Sequence, residues 1–264
     1  MFVNTIDPVL FTLGPLEIRW YGLVYVLGFL AAYYVLQKTV LSAKEADSAI
    51  LWMLLGMFLG SRTFHFLFYH QGSWNLLDFF AVWQGGMSFH GGFTGIVLAL
   101  WLWSRKNKKN FYELADITVI VAAFFLALGR LANFSNSEIV GHTTNVAWCV
   151  EFPNAYAPYN EGCRHPTQLY AFVKNIFIGT VTLLLWRTKK FSHGFIFWTF
   201  ALLYGILRFT VNSLRADPVV LGAWIKTGHI LSLVLILVAG YFLITNHKED
   251  LAKLFKKSKG KKKR

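Results

Sequence analysis

The segment Gly129–Gly141 holds the densest set of side chains able to bind a negatively charged group. Arg130, Asn133 and Ser137 would share one face of a helix that continued through this segment, because helical neighbours recur every three to four residues. A guanidinium fork, an amide and a hydroxyl on one face could together hold a phosphate or a polyol. The alternative is a helix end capped by asparagine and serine, which would leave Arg130 unexplained.

A histidine between two pairs of glycines is the second candidate. The stretch Gly85–Gly92 has the sequence Gly-Gly-Met-Ser-Phe-His-Gly-Gly, and its glycines permit a close approach of the backbone to a neighbour. Most isolated histidines are structural. His90 lies at the mouth of a predicted helix, however, where it could also move a proton or bind an anion.

Further polar stretches lie at the ends of apolar segments. The Pro166-Thr167 pair predicts the start of a helix with Thr167 as its N-cap. The sequence contains no HExxH, Walker A or G-x-S-x-G pattern, so nothing in it favours a zinc peptidase, a nucleotide site or a serine hydrolase. These stretches add four binding candidates, which are Tyr21, Arg164, His165 and Arg208.

The elements that must position these residues are membrane-spanning helices. Of 264 residues, 55% are hydrophobic and only 15% are charged, against about 25% charged in an average soluble domain. Open strand edges are not tolerated in lipid and the apolar stretches do not alternate, so we expect an all-α polytopic membrane protein. Seven stretches approach the length of about 20 residues that a spanning helix needs, near 19–37, 50–69, 87–104, 114–134, 170–187, 193–211 and 229–246.

The basic residues predict that the N-terminus is outside and the C-terminus inside. Eighteen of the 26 Lys and Arg residues fall on the cytoplasmic side in that orientation, as the positive-inside rule requires. Residues 1–246 would form the membrane domain, with an extracytoplasmic loop over about 138–168 and a basic cytoplasmic tail over 247–264. The net charge of +13 is concentrated in that tail, where it indicates anionic lipid and excludes a typical nucleic-acid-binding module.

Six of the eight remaining basic residues are arginines, and most lie near the outer ends of predicted helices. A charge inside a span costs at least about 2.5 kcal/mol on insertion scales, so the group favours an anion site at the outer face. Any single arginine could instead snorkel to the interface or pair with an acid such as Glu138. Cys149 and Cys163 fall in the outer loop, where a disulfide and two free thiols are equally compatible with their spacing.

Taken together, these motifs resemble the prolipoprotein diacylglyceryl transferase family. The resemblance runs from about Ile6 to Ser232, and the combination is far more specific than any single motif. It implies an enzyme of the bacterial cytoplasmic (inner) membrane with seven helices, the N-terminus outside and the active site on the extracytoplasmic side. The motifs that carry it are Trp20-Tyr-Gly, the Gly85–Gly92 stretch, Gly129-Arg-x-x-Asn-Phe-x-Asn-x-Glu138, Arg164-His-Pro-x-Gln-Leu-Tyr170 and Leu207-Arg-Phe.

The resemblance implies transfer of an sn-1,2-diacylglyceryl group from phosphatidylglycerol to the lipobox cysteine of a preprolipoprotein, the first step of bacterial lipoprotein maturation. The products would be a thioether-linked lipid and glycerol phosphate. No metal or other cofactor is implied, because arginines can supply the positive charge, and we expect a monomer that contacts membrane lipids and signal peptides. By motif position, catalysis would fall to His90, Arg130 and Arg208, and substrate binding to Tyr21, Asn133, Glu138, Gly141, Arg164 and His165.

Several positions differ from the family pattern, and they keep a second class of function open. Ala171 and Asn212 stand where glutamate is typical, and Ser137 stands where glycine is usual. A glutamate four residues after Arg208 would pair with it, whereas Asn212 could only form a hydrogen bond. The alternative is a non-catalytic relative that binds anionic phospholipid or signal peptide. A transporter or channel would require polar residues along several full spans.

Overall fold

The computed structural model describes residues 2–14, 16–69, 79, 88–219 and 225–255. Helices dominate these ranges, and short strands lie before α1 and in the loop after α4. The eight helices of the described ranges are α1 Trp20–Thr39, α2 Ala43–Tyr69, α3 Phe89–Lys106, α4 Phe111–Ser135, α5 Thr167–Arg187, α6 Phe195–Ser213, α7 Thr227–Asn246 and α8 Lys248–Phe255.

Helices α1 to α7 coincide with the seven apolar stretches of the sequence. Within the described ranges, six of them are long and apolar enough to cross a membrane, which makes the chain a multi-pass membrane protein. The helix that does not meet this criterion is α3, which has 18 residues and carries Arg105 and Lys106 in its last turn.

Helix α2 begins seven residues before the predicted stretch because its first turn is capped. The backbone N–H and the hydroxyl of Ser42 both donate to the Glu45 carboxylate, at 2.9 Å each. This is half of a capping box, the Ser-x-x-Glu arrangement that marks a helix N-terminus. The polar turn extends the helix beyond the apolar residues that predicted it.

Four short strands modify the all-α prediction outside the helices. A hairpin joins β2 (Val9–Leu13) to β3 (Leu16–Arg19), directly before α1. Strand β1 (Phe2–Val3) pairs in parallel with β4 (Val150–Glu151), so the N-terminus is attached to the loop between α4 and α5. Strands of two residues are too short to show an alternating pattern in the sequence.

The chain forms two compact units. The smaller one comprises the described part of residues 29–118. In it, α2 and α3 approach until their backbones touch at four glycines, which are Gly56 and Gly60 of α2 and Gly91 and Gly95 of α3. Small residues four apart on facing helices are a common way to pack helices in membranes, where the lipid gives no hydrophobic driving force.

The larger unit comprises the described residues of 1–28 and 119–264. Its core is apolar and is formed by α4, α5, α6 and α7, with Val119, Ile178, Phe195, Phe200 and Leu243 among its buried side chains. On the outer surface of α7, residues such as Leu237 and Ile244 are more than 60% exposed, as expected for side chains that face lipid.

A polar cluster ties α8 to the loop between α5 and α6. The Asp250 carboxylate accepts hydrogen bonds from the Ser192 hydroxyl and from Lys253, and lies 3.3 Å from His247 Nδ1. Burial alone would raise the pKa of Asp250, but the hydrogen bonds from Lys253, Ser192 and His247 outweigh it and lower the pKa to about 2. The first residues of the predicted cytoplasmic tail are therefore a packed helix.

We expect Gly91→Ala to destabilise the smaller unit, whereas Gly92→Ala will not. A Cβ at Gly91 would run into the backbone of Gly60, while one at Gly92 would meet Met57 Cγ at an ordinary 3.4 Å. Overpacking of this kind costs about 1–3 kcal/mol. Thermal unfolding in detergent measures both variants, and equal melting temperatures would contradict the backbone contact.

We expect Asp250→Asn to lower the free energy of unfolding by about 1–3 kcal/mol, since charged hydrogen bonds are lost. Glu249→Gln is the control and should leave that free energy unchanged, because Glu249 is exposed. The pKa of Asp250 is lower in the folded chain, at about 2, than the value of about 3.9 in the unfolded chain. Its stabilising contribution is therefore complete above about pH 4 and is lost as the pH falls towards 2. In melting curves from pH 6 to pH 2, the melting temperatures of the wild type and of Asp250→Asn should converge as the pH falls. A difference between them that does not change with pH would refute this.

Candidate functional site

A small pocket lined by ten residues opens in the larger unit. Its walls come from α4, the first two turns of α5, the end of α6, and the loops that follow α4 and α6. No carboxylate is among the lining residues of this pocket, all of which lie in the described part of the chain. Four basic side chains line it, which are Arg130, Lys174, Arg208 and Arg215.

Arg130 is held through a neutral amide. Its Nη1 donates to Asn133 Oδ1 at 3.1 Å, and Asn133 Nδ2 donates to Glu138 Oε2 at 3.1 Å. Asn136 donates to the other carboxylate oxygen at 3.0 Å. The predicted common face of Arg130 and Asn133 is confirmed, and Glu138 directs the arginine without a direct ion pair.

Ser137 does not share that face, because α4 ends at Ser135. The backbone of Ser137 is left-handed, with φ of 55°, and Ile139 follows with φ of 59°. That conformation costs an L-residue roughly 1–2 kcal/mol, which explains a usual glycine at position 137. The Ser137 hydroxyl accepts a hydrogen bond from buried Asn4 at 3.1 Å, a contribution of about 1 kcal/mol that offsets much of the strain.

Arg208 and Lys174 converge on one tyrosine of α6. Arg208 Nη1 donates to the Tyr204 hydroxyl at 3.1 Å, and Lys174 Nζ lies 3.8 Å from the centre of the Tyr204 ring. Lys174 is only 8% exposed and is a site residue that the sequence analysis missed. The available signal was its position three residues after Ala171, on the same face of α5.

Asn212 does not form the predicted hydrogen bond to Arg208. It is 1% exposed, and neither its Oδ1 nor its Nδ2 has a hydrogen-bond partner within the described structure. Its amide packs against Gly228, where a Cβ would lie only 2.6 Å from Oδ1. The side chain therefore lines the pocket with unused hydrogen-bonding groups.

The first turn of α5 fixes the loop that carries Glu138. The Thr167 hydroxyl donates to the Ile139 carbonyl at 2.6 Å, and Gln168 Nε2 donates to the Glu138 carbonyl. The prediction of Thr167 as an N-cap is wrong, because Pro166 takes that position and Thr167 is the first helical residue. Its hydroxyl donates instead to the loop after α4.

Arg164 and His165 lie in the loop beside the pocket and do not line it. The Arg164 guanidinium donates to three carbonyls, those of Glu161, Gly141 and Pro158, at 3.0–3.2 Å. The Tyr170 hydroxyl is 3.1 Å from His165 Nδ1. Gly141 packs so tightly that a Cβ would come within 2.6 Å of His165.

A disulfide joins Cys149 to Cys163 in the same loop and resolves the choice that the sequence left open. It closes a segment with a sequence separation of 14 residues. Because cross-links of this size restrict the unfolded chain, the disulfide and Arg164 together hold the loop against the pocket wall.

Two predicted site residues lie elsewhere. Tyr21 is on α1, and its hydroxyl is 3.2 Å from that of Tyr25. His90 is the second residue of α3, in the smaller unit, and its side chain is outside the described part of the structure, as are residues 85–87 of its motif. The residues that meet around the pocket are thus Arg130 and Arg208, with Asn133 and Glu138 behind Arg130.

A buried lysine before α7 is bonded to the end of α6 and the residues that follow it. Lys226 is 3% exposed, and its ammonium donates to the Asn212 carbonyl at 3.2 Å and to the Arg215 carbonyl. Burial lowers the pKa of Lys226. Arg215 is in turn paired with Asp217 at 2.9 Å, so it is the one pocket cation with a carboxylate partner within the described residues.

A larger groove of about 1230 Å³ adjoins the pocket. It runs between the segments 136–140, 154–159 and 215–218, and it shares Ile139 and Arg215 with the pocket. Tyr156, which is 88% exposed, stands on its rim.

Fold and site define a multi-pass membrane protein with a pocket that four basic side chains line. Residues 8–245 match the family described as prolipoprotein diacylglyceryl transferase. The chain belongs to the prolipoprotein diacylglyceryl transferase family.

Curated relatives cover almost the whole chain. A phosphatidylglycerol–prolipoprotein diacylglyceryl transferase of Oleidesulfovibrio alaskensis is 38% identical over 94% of this chain and 97% of its own length. The proteins of the same name from Pseudomonas savastanoi and Geobacter sulfurreducens are 37% and 40% identical, over 90% and 82% of this chain and 92% and 85% of their own lengths.

We expect Arg164→Met to destabilise the loop between α4 and α5 by more than about 2 kcal/mol, because three charged hydrogen bonds from a buried guanidinium to backbone carbonyls are lost. Arg19→Met is the matched control, since the Arg19–Glu17 pair is about half exposed and such pairs contribute at most about 1 kcal/mol. Thermal unfolding and proteolysis of the loop measure the difference. Equal stability of the two variants would show that Arg164 is not a structural anchor.

Proposed function

We propose that this protein transfers the diacylglyceryl group of phosphatidylglycerol to the lipobox cysteine of prolipoproteins, at the extracytoplasmic face of the bacterial cytoplasmic membrane. The family assignment makes it a transferase of this type. The observation that carries the proposal is the pocket, in which Arg130 and Arg208 face a common space without a carboxylate partner among the described residues.

The positive charges of the pocket suit a reaction in which negative charge develops on the substrate. The cysteine sulfur forms a bond to the glyceryl carbon, the bond from that carbon to the phosphate oxygen breaks, and its electron pair stays on the phosphate. A second negative charge therefore develops on the phosphate as it leaves. Arginines preorganised in a site of low dielectric stabilise such charge more strongly than water does.

The residues fall into three roles in this proposal. Arg130 and Arg208 bind the phosphodiester and stabilise the leaving group. Asn133 and Glu138 direct Arg130 through the hydrogen bonds described above, and Tyr21 binds the lipid near the entrance of the pocket. His90 either accepts the thiol proton, since a free cysteine with a pKa near 8.5 is mostly protonated at pH 7, or binds the headgroup.

The loop residues support the pocket. Arg164, His165 and Gly141 hold the loop whose residue Ile139 lines it, so we assign them positioning roles for the substrate. The groove beside the pocket receives the extended lipobox segment of the acceptor, with its cysteine at the shared wall formed by Ile139 and Arg215. One chain provides all of these residues, so a monomer suffices.

Two observations support the proposed topology of seven spans with the N-terminus outside. The excess of basic residues lies in the segments that this topology puts in the cytoplasm. The Cys149–Cys163 disulfide lies in the loop that it puts outside, where conditions are oxidising. Helix α3, with 18 residues, is the seventh span.

We expect the purified protein to add a diacylglyceryl mass to a lipobox peptide when phosphatidylglycerol is supplied, and Arg130→Ala to lower kcat/KM at least 100-fold, because a charge-stabilising group is removed. Arg19→Ala, an exposed arginine of the same unit, is the control. A peptide with Cys→Ser should receive no lipid. Retention of phosphatidylglycerol without transfer would instead identify a binding protein, and full activity of folded Arg130→Ala would refute the assigned role.

A further inference from the structure

Three of the pocket cations have no counter-charge in the part of the chain that the structure describes. Arg130 and Arg208 are bonded to an amide and a phenol, and the Lys174 ammonium faces an aromatic ring. Arg130, Lys174 and Arg208 line the same pocket, and Lys174 and Arg208 both contact Tyr204. Like charges gathered at one buried site are costly unless a ligand compensates them.

The number of cations exceeds what a phosphodiester requires. A phosphodiester carries one negative charge, whereas a phosphomonoester carries about 1.5 to 2 at pH 7. Lys174 is on α5, which neither Arg130 nor Arg208 occupies, so the three charges approach the pocket from three different helices. Together with the two arginines, Lys174 supplies the additional positive charge that a phosphomonoester would require.

Unused polar atoms surround the same space. Gln168 and Asn212 are at most 1% exposed and line the pocket. Gln168 Oε1 and both polar atoms of the Asn212 amide have no hydrogen-bond partner in the described structure. Buried amides of this kind are normally satisfied, and hydroxyl groups carried on the phosphate would satisfy them.

We propose that Lys174 completes, with Arg130 and Arg208, a binding site for a polyol phosphomonoester in its dianionic form. The inference rests on the proposed function, in which glycerol phosphate leaves as the carbon–oxygen bond breaks and its electron pair passes to the phosphate oxygen. Lys174 is then a catalytic residue that binds the second charge, and it is a specificity determinant for the leaving group.

The test compares three ligands of the detergent-solubilised protein by calorimetry. These are sn-glycerol phosphate, the diester glycerophosphoglycerol, and phosphatidic acid in nanodiscs. The wild-type protein should bind both monoesters at least tenfold more tightly than the diester. Lys174→Gln should weaken monoester binding by about 10- to 100-fold, as expected for loss of one charged hydrogen bond, and leave diester binding nearly unchanged.

Controls separate binding from folding. Val173→Leu keeps an apolar side chain at a neighbour that is 64% exposed and should bind all three ligands as the wild type does, while Lys174→Arg should restore most of the monoester affinity. Without ligand, Lys174→Gln should melt at or above the wild-type temperature, because a repulsive charge is removed. A lower melting temperature together with unchanged monoester binding would assign Lys174 a structural role and overturn the proposal.

Transfer activity is measured separately. Wild-type protein that transfers lipid but binds monoester and diester equally would refute this inference and leave the proposed function intact. If monoester binding depends on Lys174 but the protein transfers no lipid, the proposed function is refuted and the binding site stands. Binding of phosphatidic acid but not of sn-glycerol phosphate would identify the ligand as a lipid headgroup and overturn its assignment as the leaving group.

Discussion

Positive charges that lie close together inside a membrane protein repel one another, and much of the larger unit serves to hold three of them without neutralising them. The partners of Arg130, Arg208 and Lys174 are an amide, a phenol hydroxyl and an aromatic ring. Carboxylates in these places would hold the cations more strongly and would also compete with an anionic ligand. Neutral partners orient the side chains and leave their charge available.

This arrangement makes the loop between α4 and α5 part of the site. Glu138 reaches Arg130 only through Asn133, so its carboxylate must be fixed by its own backbone. Gln168 of α5 donates to the carbonyl of Glu138 and Thr167 to that of the next residue, Ile139. The left-handed residues Ser137 and Ile139 turn the chain sharply on both sides of Glu138. Strained backbone is often found at such positions, where the surrounding structure must impose it.

Sequence reasoning predicted the helices and the two arginines because both depend on local patterns. The length of the apolar stretches predicted α1 to α7, and helical spacing predicted that Arg130 and Asn133 lie on one face. It missed Lys174 because helical spacing puts this lysine on the same face as Ala171 but does not show which neighbouring helix that face meets. It also missed the contact of Asn4 with Phe134 and Ser137, and that of Ser192 with Asp250. Each of these pairs is far apart in sequence, and only tertiary packing brings it together.

The attachment of the N-terminus to the loop between α4 and α5 has a consequence for biogenesis. Asn4 donates to the Phe134 carbonyl across 130 residues, and β1 needs β4 as its partner. A ribosome that adds about 5–20 residues per second delivers those partners on the order of ten seconds after the first residues leave it. Helix α1 is therefore synthesised before the surface that will cover its preceding segment exists. During that interval the N-terminal residues lack these partners, and the pocket is one of the last parts of the larger unit to be assembled.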